Sequence, residues 1–181
     1  LAYIQSRQGI NVKSIGDADV IAAQQQGGQT CVQVFFFRGG SNFGNRAYFL
    51  THHKGLKIAD ILSSFIVQFY EAREAPRLLL LSHKLGSPSI MREALSLRST
   101  GRVTIESPLR GQKRDVVLRA IDNARAALGR RLSESATQTK LLEGLGAVVG
   151  LEGSPNRVEI YDNSHISGAN SVGAMVVAGP E

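Results

Sequence analysis

The sequence is poor in cysteine, in acidic residues and in long apolar runs, and each shortage narrows what the protein can be. Cys31 is the only cysteine among 181 residues, so no disulfide can form within the chain. It lies in an apolar stretch without a Cys/His/Asn catalytic signature, which favours a buried, inert thiol over a nucleophile. No apolar run approaches the roughly 20 residues that span a bilayer, and no signal-peptide pattern opens the chain. We therefore expect a cytoplasmic protein without a membrane partner.

The composition is otherwise that of a soluble globular protein, with 43% apolar and 20% charged residues. The length allows one domain, or one domain and a fragment of a second. Lysine and arginine number 21 against 15 acidic residues, which gives a net charge of +6. This balance favours anionic partners, but many unrelated proteins share it, so it identifies none.

The periodicity of the apolar residues changes along the chain. β-Prone stretches separated by tight turns predict three antiparallel strands at residues 19–24, 30–38 and 45–51. Apolar residues at three- and four-residue steps then predict helices that alternate with two short strands. The expected elements are a helix at 57–72, a strand at 77–82, a helix at 87–100, a strand at 102–106, and helices at 112–132 and 137–149. This order predicts an α/β fold with a ribonuclease H-like mixed sheet, followed by a terminal β-hairpin.

The terminal hairpin holds a candidate metal ligand. Residues 158–161 are apolar and β-prone, and Asp162 closes this predicted strand. A cluster of Ser, Gly and Asn then turns the chain, and residues 172–178 form the predicted return strand. A strand-end carboxylate can bind a hard divalent cation through its oxygens, but such a group more often binds water or caps a turn. This feature alone leaves both interpretations open.

Many stretches of the chain, taken in order, resemble the UvrC family of bacterial nucleotide excision repair. The stretches lie at residues 17–22, 31–40, 45–49, 65–70, 77–83, 108–114, 123–128, 139–145 and 161–168, the last reading Tyr-Asp-Asn-Ser-His-Ile-Ser-Gly. The resemblance implies a DNA endonuclease that works with UvrB and with the UvrA-UvrB-DNA complex. It nicks damaged double-stranded DNA on both sides of a bulky lesion. A separate nuclease domain makes the 3′ cut, and the ribonuclease H-like domain makes the 5′ cut.

The resemblance also implies site residues in the hairpin. It assigns Asp162 as a catalytic residue that binds Mg²⁺ or Mn²⁺, with Asn163, Ser164 and His165 supporting it within the motif. For His165 a second interpretation stays open, that of a turn residue with a local hydrogen bond. The family's other metal-binding carboxylate and its catalytic histidine are expected beyond residue 181.

We predict three segments. Residues 1–14 are the end of a helix and a linker, residues 15–150 a ribonuclease H-like domain, and residues 157–181 the first hairpin of the catalytic nuclease domain. Nucleases of this fold hold two metals with acidic residues on the first strand and on later elements. Residues 15–150 supply only Asp17 and Asp19 at the start of the first strand, and Ser82 and His83 on the fourth. We therefore expect this domain to be non-catalytic, which favours an alternative function as a scaffold that binds DNA or UvrB.

Basic residues gather near predicted turns and at one helix start. The candidates for DNA or partner binding are Arg38, Phe43, Arg46, Lys54, Arg110, Lys113 and Arg114. Arginine beside flexible glycine backbone suits phosphate contact, as do cations at a helix start. Solvated loop charge and ion pairs to an acidic surface of UvrB or of another UvrC domain are the alternatives.

Overall fold

The structure, a computed structural model, describes residues 15–51, 55–167 and 169–179. It divides into two compact units, one reaching to Gly129 and one starting at Arg130. The predicted helix end and linker at residues 1–14 lies outside the described residues. Among the described residues, no helix has both the length and the apolar character needed to cross a membrane.

The first unit contains a five-stranded mixed sheet in the order β3-β2-β1-β4-β5. Its strands are β1 (Ala18–Gln26), β2 (Gln29–Arg38), β3 (Ser41–Leu50), β4 (Leu78–Leu81) and β5 (Thr104–Glu106). The first three are antiparallel neighbours, whereas β4 runs parallel to β1 and β5 parallel to β4. The turns at residues 27–28 and 39–40 are glycine pairs with positive φ, as tight hairpins require. The predicted mixed sheet is confirmed.

Both faces of this sheet are apolar and covered by helices. On one face, Ile21, Val34 and Leu79 pack against helix α1 (Ile58–Phe69), and helix α2 (Pro88–Ser96) completes that layer. On the other face, Phe37 and Leu80 pack against the start of helix α3 (Gly111–Val148). Successive residues of a strand point to opposite faces, so an uninterrupted apolar run such as residues 20–23 serves both layers.

Helix α3 is continuous over 38 residues, although the sequence predicts two helices at residues 112–132 and 137–149. Residues 133–136 read Ser-Glu-Ser-Ala and contain neither glycine nor proline, so nothing there breaks the backbone ladder. The hydroxyls of Thr137 and Thr139 donate to carbonyls four residues earlier, as polar side chains do inside a helix. The helix ends where Gly150 adopts a φ of 72°.

In the second unit, a two-stranded hairpin is formed by β6 (Val158–Ile166) and β7 (Ala169–Ala178). The strand does not end at Asp162 as the sequence predicts, because cross-strand pairing with β7 carries it on to Ile166. Within the same unit, the amide of Gln138 donates to the carbonyl oxygen of Gly179 at 2.9 Å. Gly146 also approaches the backbone of Gly153 closely.

Candidate functional site

Asp162 lies in the middle of β6 and is exposed. Its partner across the hairpin is Ala174, and β7 contains no charged residue that could pair with the Asp162 carboxylate. Asn163, the next residue, lies opposite Gly173, where an added Cβ would stand 3.0 Å from the Asn163 Oδ1. The glycine therefore leaves room for the amide on that face.

Ser164 and His165 belong to the same strand and are exposed. The register shifts between Ser164 and Ile166, which places His165 at an irregular position of the ladder. A bulge of this kind changes the direction of a side chain relative to its neighbours. The structure thus brings the motif residues 162–165 together on one strand rather than in a turn.

The sequence places Asp19 at the start of the first strand, but it did not predict the buried environment of this carboxylate on β1. Asp19 is 2% exposed. Its Oδ1 accepts a hydrogen bond from Arg38 at 2.8 Å and its Oδ2 accepts one from the Tyr70 hydroxyl at 2.6 Å. Burial, and then the charge of Asp19, raise the pKa of Tyr70 far above its usual value, so the hydroxyl remains a donor.

Arg38, predicted as a loop cation for DNA or a partner, is therefore held inside the first unit. Besides Asp19, its guanidinium donates to the carbonyl oxygens of Ala18 at 3.3 Å and Phe37 at 2.6 Å. The side chain remains 41% exposed and lines a cavity of about 740 Å³ together with Arg77. Its position at the end of β2 is thus fixed by buried acceptors, while part of the guanidinium faces this cavity.

Arg46 lies on β3, within the strand predicted at residues 45–51, and Phe43 lies on the same strand and not in the turn, because the turn contains only residues 39–40. Phe43 is 74% exposed. Arg46 rests over the ring of Tyr48, with its Cζ 5.2 Å from the ring centroid. Lys54, the remaining candidate near this strand, lies outside the described residues.

The basic residues near the start of α3 differ in what they contact. Lys113 forms an ion pair with both carboxylate oxygens of Glu106, at 2.8 and 2.9 Å. Burial, and then the charge of Arg114, lower the pKa of His83, which lies at the end of β4. Arg110 precedes the helix and is exposed. The three predicted residues thus lie near one end of the sheet. Glu106 neutralises the charge of Lys113, and Arg114 lowers the pKa of His83.

A second arginine over a ring also went undetected in the sequence. Arg73 follows α1, and its Cζ lies 4.4 Å from the centroid of Phe69. A helix-periodic aromatic at position 69 predicts a core residue, and no pattern in the sequence links it to a cation four residues later. Only the packed structure shows that Arg46 and Arg73 rest on rings of one aromatic cluster.

Comparison with known proteins adds two family matches. Residues 17–131 match the family described as UvrC Ribonuclease H-like domain. Residues 146–181 match the family described as UvrC RNAse H endonuclease domain, and this match contains Asp162.

Individual relatives agree with these matches. The UvrABC system protein C of Chelativorans sp. (strain BNC1) is 53% identical over 181 residues, which cover 100% of this chain and 28% of that protein. That of Nitrobacter winogradskyi is 52% identical and that of Brucella abortus (strain 2308) 50%, again over the whole chain, with 26% and 30% of the relatives covered. The chain therefore spans less than a third of the length of these relatives.

One solved structure is that of a Bacteroides thetaiotaomicron protein of unknown function with an actin-like ATPase fold. The alignment covers 64% of this chain and 40% of that protein's chain. The TM-score is 0.32 and the identity 14%. A similarity this low supports no argument about the chain.

Proposed function

The chain belongs to the UvrC family, and we propose that it is part of an incision subunit of bacterial nucleotide excision repair. In this proposal the protein acts in the cytoplasm, with UvrA and UvrB, on damaged double-stranded DNA. The two family matches support it, as does the sequence identity of about 50% to proteins named UvrABC system protein C.

Asp162 carries the catalytic part of the proposal. It is exposed on β6, within the residues that match the endonuclease family, and its neighbours 163–165 share the strand. We propose that Asp162 binds Mg²⁺ or Mn²⁺ for the cut on the 5′ side of a lesion. A carboxylate fixed on a paired strand is suited to this role because the ladder holds its backbone in place.

The described residues do not by themselves complete a metal site. Carboxylate oxygens suit hard cations such as Mg²⁺, and Asp162 offers two of them. Across residues 15–51, 55–167 and 169–179, no group of three or more His, Cys, Asp or Glu side chains is arranged to hold a metal ion. We propose that further ligands lie outside the described residues.

For residues 15–150 we propose a non-catalytic, scaffolding role toward DNA or UvrB. The acidic residue of β1 that could serve a metal, Asp19, is buried with both oxygens bound to Arg38 and Tyr70. We further propose that residues 15–150 and 157–181 fold as separate domains. Limited proteolysis should then cut between residues 150 and 156, whereas cleavage confined to α3 would contradict these boundaries.

The catalytic assignment is tested by Asp162→Ala in a full-length protein that contains this chain. With UvrA, UvrB and a lesion-bearing duplex, the variant should lose the 5′ nick and keep the 3′ nick. The reason is that a neutral methyl cannot bind a divalent cation. Electrophoresis of a duplex labelled at either end separates the two products.

Glu159→Gln is the matched control. Glu159 is another carboxylate of β6, three residues earlier, so it lies on the opposite face of the strand. This variant should retain both nicks. Loss of both nicks in Asp162→Ala would indicate a folding or assembly defect, and an unchanged 5′ nick would refute the assignment.

A further inference from the structure

An aromatic cluster on the α1 side of the sheet supports two arginines. Tyr48 of β3 packs against Phe65 and Phe69 of α1, with ring centroids 5.3 and 5.6 Å away. Phe65 and Phe69 are 5.2 Å apart and almost completely buried. Packing in the core therefore holds these rings in place. A side chain that contacts the outer side of the rings is held in place with them.

Arg46 and Arg73 occupy that outer side. Their Cζ atoms lie 5.2 Å from the Tyr48 centroid and 4.4 Å from the Phe69 centroid. With 5.6 Å between these two rings, the guanidinium groups are at most about 15 Å apart. Both side chains belong to exposed residues. Within residues 15–51 and 55–167, the ion pairs involve other cations, and neither of these two arginines takes part in one.

We propose that Arg46 and Arg73 form a docking surface for the phosphate backbone of DNA; this rests on the proposed function and names residues that contact its substrate. A guanidinium stacked on a ring keeps its plane, so it loses less rotamer freedom when it binds a ligand. Its in-plane N–H groups remain available for bidentate contact with phosphate oxygens. Phosphates follow one another every few ångströms along a strand, so a span of this size can meet two or more of them.

The surface suits a polyanion better than an acidic protein. Protein partners bind tightly where an apolar anchor enters a desolvated pocket. Here Phe65 and Phe69 are only 6% and 9% exposed. A ligand would therefore contact the two arginines and little apolar area of the rings. The chain's net charge of +6 acts in the same direction.

The test compares two double variants that remove the same charge. Arg46→Gln with Arg73→Gln changes the proposed surface. Arg119→Gln with Arg130→Gln is the control, since both residues are exposed on α3 and neither takes part in an ion pair among the described residues. The affinity of the whole chain for a short undamaged duplex is measured by fluorescence anisotropy between about 50 and 200 mM salt.

The surface variant should bind more weakly, and the slope of log affinity against log salt should fall by about 1.8, since each lost phosphate contact removes about 0.9. The control should change the slope by much less. Equal changes in the two variants would overturn the proposal, because they would show an effect of overall charge alone. Loss of binding to poly-glutamate with unchanged duplex binding would also overturn it, in favour of an acidic protein partner.

A third variant keeps the proposal testable if removal of the two arginines unfolds the chain. Arg46→Lys with Arg73→Lys keeps both charges but loses the planar fork. It should retain most of the salt slope and bind more weakly than the parent chain at every salt concentration. Affinity equal to that of the parent would refute the docking surface. The anisotropy assay measures affinity and not cleavage, so its outcome is separate from that of the incision test.

Discussion

The hydroxyl of Tyr70 donates a hydrogen bond of 2.6 Å to the carboxylate of Asp19, although 51 residues separate them in sequence. Asp19 starts β1 and Tyr70 follows the last turn of α1, so this bond joins a sheet strand to the helix that covers it. The other carboxylate oxygen accepts a hydrogen bond from Arg38, at the end of β2. Three elements thus meet at one buried negative charge.

Removal of Arg38 from this charge should destabilise the fold. Arg38→Ala leaves Asp19 buried with Tyr70 as its remaining side-chain donor, and an uncompensated buried charge is costly. Because Arg38 is itself 41% exposed, we expect a loss of about 2 kcal/mol in the free energy of unfolding. Chemical denaturation measures it. Arg119→Ala, which removes an exposed cation, should stay within about 0.5 kcal/mol of the parent; equal losses would contradict the role of Arg38.

His83 should make the thermal stability of the first unit depend on pH. Burial, and then the charge of Arg114, lower its pKa in the folded state below the usual value near 6.5. A lowered pKa contributes stability that is present above the unfolded value and is lost as pH falls through the folded one. His83→Gln should therefore flatten the decline in melting temperature between about pH 7 and pH 5.

The source of this shift can be tested at Arg114. Arg114→Gln removes one of the two causes, so the pKa of His83, followed by NMR titration of its ring protons, should rise. Arg119→Gln removes the same charge from the same helix and serves as the control. A rise of the same size in both variants would exclude a specific effect of Arg114.

Two glycines of α3 should respond oppositely to alanine. A Cβ at Gly144 meets nothing within 4 Å, so Gly144→Ala should gain up to about 1 kcal/mol in helix propensity. A Cβ at Gly146 would lie 2.7 Å from the Gly153 carbonyl oxygen, so Gly146→Ala should lose stability despite the same propensity gain. Amide hydrogen exchange over residues 138–149 distinguishes the two. A stabilised Gly146→Ala would show that the loop at residue 153 shifts at little cost.

Local pattern in the sequence determined the elements and their order. β-Prone apolar runs at residues 19–24 and 30–38, glycine pairs at the turns and helical periodicity at 57–72 each act between close neighbours in the chain. The mixed sheet follows from the order of these elements, and the motif at residues 161–168 identified the family. The length of β6 was missed, because it depends on pairing with β7 and not on the residues that follow Asp162.

The environment of each charge was decided only by the tertiary structure. Asp19 and Arg38 read as polar residues at strand ends, yet folding buries the first and binds the second to it. Arg73 gave no signal at all, since its partner is the ring of Phe69 seen from outside the helix. Hydrogen bonds and cation–π contacts depend on distance in space to one specific group. A one-dimensional pattern fixes which face a residue takes, but not which distant side chain meets it there.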